Sequence, residues 1–198
     1  MKRSTKGEDS PTHDSSTVAE RLSELGYVDL FHRLDEDALD GVWNAPGATE
    51  ALEALASDSA AAELPRFLAA EILFHKREDY PPKETSGVLS PVYAAALAGN
   101  FTGMANDWGL PGRLDGSAGQ NFVALGASAV PHLIGLLDDE TRMVYAGSKE
   151  ATMGNSYEYR VKDAAAFFIS RILGVPFQVH ESPRARDEEI EALKASLK

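Results

Sequence analysis

Two stretches decide the fold: Ala129-Val130-Pro131-His132-Leu133-Ile134-Gly135-Leu136-Leu137-Asp138-Asp139 and Tyr159-Arg160-Val161-Lys162-Asp163-Ala164-Ala165-Ala166-Phe167-Phe168-Ile169-Ser170-Arg171-Ile172-Leu173-Gly174. In the first, Val130, Leu133, Ile134 and Leu137 recur at i, i+3, i+4, i+7. In the second, Val161, Ala164, Ala165, Phe168 and Ile172 line one face. That spacing is the signature of amphipathic helices whose apolar stripes meet a shared core.

Working outward, the same period recurs. Val18, Leu22 and Leu25 predict a helix opening at Thr17, with Glu20 at capping-box spacing and Gly26 as the stop. Leu30, Phe31 and Leu34 predict a short second helix, and Ala38, Leu39 and Val42 a third starting at Asp35. After a break at Asn44–Gly47 comes an alanine-rich helix through Ala48, Ala51, Leu52, Leu55 and Ala56. The next carries Pro65 in its first turn and is apolar on two sides, Leu64, Leu68 and Ile72 against Phe67, Ala70 and Phe74. Such a helix belongs between neighbours, not on a surface. Ser90-Pro91 reads as the start of a helix reaching Ala98, closed by Gly99-Asn100. Residues 101–119 read as irregular, and helical signals resume at Gln120. Asp138–Tyr159 reads as a long polar loop, a length that often signals function. Residues 183–198 predict an amphipathic capping helix with Ile190, Leu193 and Leu197 on one stripe. Alternation of the strand type is nowhere sustained, so the chain is expected to be all-α.

The segment Ala124-Leu125-Gly126, followed by Ala129–Asp139 and then by Tyr159-Arg160-Val161-Lys162-Asp163-Ala164-Ala165, resembles a HEAT-like helical repeat of the kind found in bilin lyases. A degraded copy is expected in Ala48–Ser57 with Pro65–Leu73. The departure from the family pattern is the link between the two helices, a few residues in the family and a long polar loop here. The resemblance implies a short, irregular α-α superhelix, a HEAT-like solenoid of antiparallel helix pairs with polar outer units at its ends. It says nearly nothing about function, and no residue independently suggests pigment chemistry.

Composition narrows the function classes. The 198 residues suit one domain, residues 17–198, preceded by a tail. That tail, MKRSTKGEDSPTHDSS, holds no aliphatic residue except Met1 and is expected to be disordered. No run of eighteen apolar residues is present, so no membrane span is expected, and no signal peptide is visible. Cysteine is absent, which removes disulfides, thiolate metal sites and cysteine nucleophiles. Nineteen Lys and Arg against thirty-one Asp and Glu give a formal charge of −12, the wrong sign for neutralising phosphates, so no nucleic-acid partner is expected. His13, His32, His75, His132 and His180 make no ligand pair, and no phosphate loop or Gly-x-Ser-x-Gly elbow occurs. No metal, cofactor or catalytic residue is therefore expected, and the protein is read as cytoplasmic.

Two polar segments are candidate binding sites. One is Asn106-Asp107-Trp108-Gly109, with Trp108 as an aromatic platform at a groove rim beside Asn106. The other supplies Tyr145, Ser148, Glu150, Asn155, Tyr157, Tyr159, Arg160 and Asp163, rich in the Tyr and Arg that dominate binding hot spots. For each the plainer alternative is local: Trp108 anchoring its loop, Tyr145 and Tyr157 pinning theirs, Arg160 pairing with Asp163. Asp29, Asp35, Glu36, Asp37, Asp40, Glu50, Glu53, Asp58 and Glu63 form an acidic run opposed by Arg33, either a solvated face or a dock for a basic partner. The leading expectation is a non-enzymatic protein-interaction or scaffold module that binds through its concave face and the Asp138–Tyr159 loop. The alternatives are an enzyme or small-ligand protein with a pocket between Trp108 and Tyr145–Arg160, and an acidic inhibitor or immunity-type protein masking a basic partner.

Overall fold

A computed structural model describes residues 15–32, 37–147 and 149–198. The expected tail falls, apart from Ser15 and Ser16, outside the described residues, as do Arg33, Asp35, Glu36 and Ser148. The helices are α1 (Ser15–Phe31), α2 (Asp37–Trp43), α3 (Ala48–Ser57), α4 (Glu63–Lys76), α5 (Ser86–Gly99), α6 (Ser117–Ala124), α7 (Val130–Ile134), α8 (Lys149–Ser156), α9 (Val161–Leu173) and α10 (Pro183–Ser196). Short 3-10 turns lie at Ala105–Trp108 and Gly126–Ala129. Among the described residues there is no strand, only an isolated antiparallel bridge between Arg142 and Arg160. The chain is all-α. No helix among them is long and apolar enough to cross a membrane.

Two helices are the buried axes. In α4 every residue from Pro65 to Leu73 is buried, as its two-sided apolar pattern predicts, and it packs against α1, α3, α5 and α6. In α9 every residue from Val161 to Ser170 is buried, and it packs against α6, α7 and α10. A run of rings joins the two cores. Phe67 of α4 stacks on Trp108 with centroids 5.9 Å apart, Trp108 meets Phe122 of α6 edge-on at 6.5 Å, and Phe122 meets Phe168 of α9 at 6.1 Å. Edge and offset geometries of this kind add to what burial of the rings contributes.

Several boundaries differ from the expected ones. α1 starts two residues before Thr17 and runs past Gly26, which interrupts it with φ 67 and ψ 175. Only glycine adopts that conformation readily, so the two halves of α1 meet at a fixed kink. α5 begins at Ser86, and Pro91 lies inside it, not at its start. The Ser90 hydroxyl instead donates back to the Ser86 carbonyl at 2.7 Å. α6 begins three residues before Gln120. The expected polar loop holds a helix, α8, and the strongly periodic Val130–Leu137 stretch has α-helix only to Ile134 before tightening into turns.

Candidate functional site

The connection from Asp138 to Tyr159 is fastened by side chains that imitate a peptide. Asn106 donates from Nδ2 to the Ala146 carbonyl at 2.9 Å and accepts the Ala146 N–H at 2.8 Å. Asn155 does the same to Tyr145, donating to its carbonyl at 2.9 Å and accepting its N–H at 3.0 Å. Tyr145 is 3% exposed and donates its hydroxyl to the Gly109 carbonyl at 3.1 Å. Trp108 is 1% exposed and lies in the core between Phe67 and Phe122, not on a rim. Of the expected binding residues, then, Asn106, Tyr145 and Asn155 come together, but as the fastening of the chain itself. Ser148 and the Glu150 side chain lie outside the described residues. Beside this fastening, Asn106, Gly109, Leu110, Asp115 and Tyr145 line a small cleft of about 240 Å3.

The rest of the expected set converges on α10, through a residue the sequence reading passed over. Arg186 has no solvent exposure. Its Nη1 donates to the His180 and Glu181 carbonyls at 2.9 and 2.8 Å, and its Nη2 to those of Tyr157 and Glu158 at 2.7 and 3.2 Å. Its Nε stands 3.1 Å from Asp163, and its guanidinium lies 4.9 Å over the Tyr159 ring. Asp163 also accepts the Arg160 backbone N–H at 2.8 Å, so it caps α9 while pairing two arginines. Arg160 bonds Asp187 and Glu140 at 2.8 and 3.0 Å, and Tyr157 donates to Glu181 at 2.9 Å. Tyr159 and Asp163 are buried, while Tyr157 and Arg160 reach acids at the surface, Glu181 for the first and Glu140 and Asp187 for the second.

A second buried polar centre was not legible as a site. Glu71, on α4, is 3% exposed. Its Oε1 accepts the Tyr93 hydroxyl of α5 and, at 2.8 Å, the Asn121 Nδ2 of α6. Its Oε2 accepts the Tyr27 hydroxyl of α1 at 3.3 Å. Tyr27 lies 3.4 Å from the Ser117 hydroxyl, and the next residue pair outward is His32 with Asp107, Nε2 standing 3.1 Å from both carboxylate oxygens. Burial pushes the Glu71 carboxyl up to about 7, against the pull of its three hydrogen bonds. Burial also raises Asp107, against the pull of His32, and raises the Tyr27 and Tyr93 phenols, with Glu71 adding to both. The available signal was an acid inside Leu68-Ala69-Ala70-Glu71-Ile72-Leu73, a helix apolar on both sides. A carboxyl there has no solvated face to occupy.

The third feature is a groove of about 290 Å3 framed by Thr17, Val18 and Arg21 of α1, Asp37, Ala38, Gly41 and Val42 of α2, and Ala45 and Ala48 at the start of α3. Its lining is mostly apolar, with Thr17, Arg21 and Asp37 as the polar members. The flanking helices carry Glu20, Glu24, Asp37 and Glu50 as exposed acids. Asp40 and Glu53 of the same helices are turned to Lys76 and Arg77 of the α4 end. Arg21 is the one Lys or Arg on α1, α2 and α3, and it stands 3.9 Å from Glu24.

No family model matches the chain, and neither a curated protein nor a solved structure is found to match it.

Proposed function

We propose that the protein is a non-enzymatic interaction module that seats a basic amphipathic helix in the groove between α1, α2 and α3. The observation that carries this reading is the pairing of an aliphatic floor, Val18, Ala38, Val42, Ala45 and Ala48, with the acids Glu20, Glu24, Asp37 and Glu50 on the flanking helices. Helix-in-groove recognition uses this combination: aliphatic anchors fill the floor while charges on the helix's outer face meet the rim. The groove's volume of about 290 Å3 is near the bottom of the roughly 300–1,000 Å3 typical of sites that enclose small ligands. A few aliphatic side chains on a longer segment suit it better. The chain's net charge of −12 would steer a basic partner toward it and disfavour acidic ones. This reading keeps the protein partner expected from sequence and moves its seat from the Asp138–Tyr159 connection to the N-terminal helices.

The HEAT-like architecture is part of the same proposal. Its two units would be α3 with α4 and α7 with α9, each of which packs together. A cytoplasmic location goes with this reading. The small-ligand reading retains one observation, the 240 Å3 cleft holding Asn106 and Tyr145. A melting temperature raised by any member of a broad metabolite screen would favour it.

The test uses two labelled amphipathic peptides, one of leucine and lysine and one of leucine and glutamate, read by fluorescence anisotropy. The Leu/Lys peptide should bind, weaken as salt rises, and lose at least about tenfold in affinity to Ala38→Arg, a helix-compatible change that blocks the floor and adds a positive charge there. Equal binding of the two peptides, or an Ala38→Arg protein that binds like wild type, would sink the reading.

A further inference from the structure

We propose that Arg21 and Asp37 make the groove selective by flank: it admits a basic helix that carries carboxylates along one side of its apolar stripe, facing Arg21. The inference rests on the groove reading above and adds to it the charge pattern that the occupant must carry. It starts from what each helix contributes to the lining. From α1 come Thr17, Val18 and Arg21, and from α2 come Asp37, Ala38, Gly41 and Val42. Each set has the spacing of one helix face. Each of these two helices therefore brings one charged residue into an otherwise mostly apolar lining, a cation on α1 and an anion on α2.

Arg21 is the residue out of keeping with its surroundings. Glu20, Glu24, Asp37 and Glu50 stand exposed on α1, α2 and α3, and Arg21 is the one Lys or Arg on those helices. Its guanidinium stands 3.9 Å from the Glu24 carboxylate, with the two side chains 58% and 73% exposed. An ion pair so long and so wet holds its partners weakly. Asp40 of α2 and Glu53 of α3 are turned to other cations, Lys76 and Arg77. An arginine at an apolar lining packs its methylene stem there and keeps its planar fork at the water's edge, where it can take a carboxylate through two N–H donors.

The consequence for an occupant is electrostatic. A lysine set against Arg21 meets a like charge while it loses water, whereas a carboxylate there gains a partner. Against Asp37 the preference is the opposite one. A helix that lays leucines in the groove has a flank on each side of that stripe, one toward α1 and one toward α2. The favoured occupant is acidic on the first flank and basic on the second, with further lysines outside them to meet Glu20, Glu24 and Glu50. A helix basic on both flanks still enters, but more weakly. Selectivity of this kind comes from the repulsion built into the seat as much as from the new attraction. Turning a helix end for end exchanges its flanks, so the same pair of charges sets the direction in which the helix lies.

Two labelled peptides of equal length and composition, made of leucine, lysine and glutamate, test this by fluorescence anisotropy on the full chain. In one the glutamates lie on a flank of the leucine stripe. In the other they lie on the face opposite the leucines. Their net charges are the same, so long-range steering cannot tell them apart. The flank peptide should bind about two- to fivefold more tightly, the range that an exposed ion pair supplies. Arg21→Gln should erase that preference and Arg21→Glu should invert it, with the helical circular-dichroism signal unchanged in both. Equal binding of the two peptides to the wild type, or a preference that survives Arg21→Gln, would overturn the proposal. The Leu/Lys peptide separates this failure from that of the groove reading. If it binds and Ala38→Arg abolishes its binding while the two isomers bind alike, the flank selectivity alone is wrong. If it does not bind, both fall.

Discussion

Arg186 shows how much one side chain can organise. A guanidinium with no exposure must be met on every face, and here four carbonyls, one carboxylate and one ring meet it. Replacing it by alanine leaves Asp163 buried with one partner fewer and four carbonyls short of a donor. Such losses destabilise by about 3–5 kcal/mol, which urea unfolding will read as a lowered midpoint. Arg186→Lys should recover little of this, because a lysine offers three donors from one point and no planar fork. At this scale the sequence was only half readable. It drew attention to Tyr145, Asn155, Tyr157, Tyr159, Arg160 and Asp163 as unusual, and the structure brings them into two linked networks. It could not say that Tyr159 and Asp163 are buried beside Arg186, because that depends on α10 arriving from a distant part of the chain. Glu71 was legible in principle as an acid in an apolar run, but its donors Tyr27, Tyr93 and Asn121 come from three other helices.

Helices with long apolar stripes were read well, as was the short α2 with Ala38, Leu39 and Val42, whereas α8 and the full extent of α6 were not. α3, α4, α9 and α10 lie where periodicity predicts them. The Val130–Leu137 stripe follows a 3-10 turn and is about one and a half turns of α-helix and then further turns, because an apolar spacing records which residues are buried and not how tightly the backbone winds. The start of α6 was missed because its first turn is Ser117-Ala118-Gly119, poor in helix signals but required by packing. A Cβ at Gly119 would lie 2.3 Å from the Trp108 carbonyl oxygen. This glycine therefore lets α6 approach the 3-10 turn closely enough for Ser117 to reach Tyr27 and Asn121 to reach Glu71. Gly119→Ala should cost about 1–3 kcal/mol through the forced shift. Tyrosine absorbance or fluorescence should register the disturbance at Tyr27 and Tyr93 along with the lower thermal midpoint.

For the molecule as a whole, sequence predicted all-helical architecture correctly, while the stacking of repeats remains a proposal. α4 packs against α1, α3, α5 and α6, four helices from both sides of it in the chain, and the ring sequence Phe67, Trp108, Phe122, Phe168 ties its core to that of α9. Such long-range ties predict a single cooperative unfolding transition, with calorimetric and van't Hoff enthalpies equal. Phe122→Ala, at the middle of that run, should cost about 3–5 kcal/mol and broaden or split the transition as the two halves lose their shared centre. Differential scanning calorimetry will show whether it does. The two asparagine fastenings of the long connection carry a different consequence, for shelf life. Besides oxidation of its four methionines, one route of slow chemical ageing in this protein is hydrolysis of side-chain amides. At Asn155 the product aspartate would point oxygen at oxygen where the Tyr145 carbonyl now receives a donor. Hydrolysis at Asn155 should therefore loosen the chain around α8 and add one negative charge there.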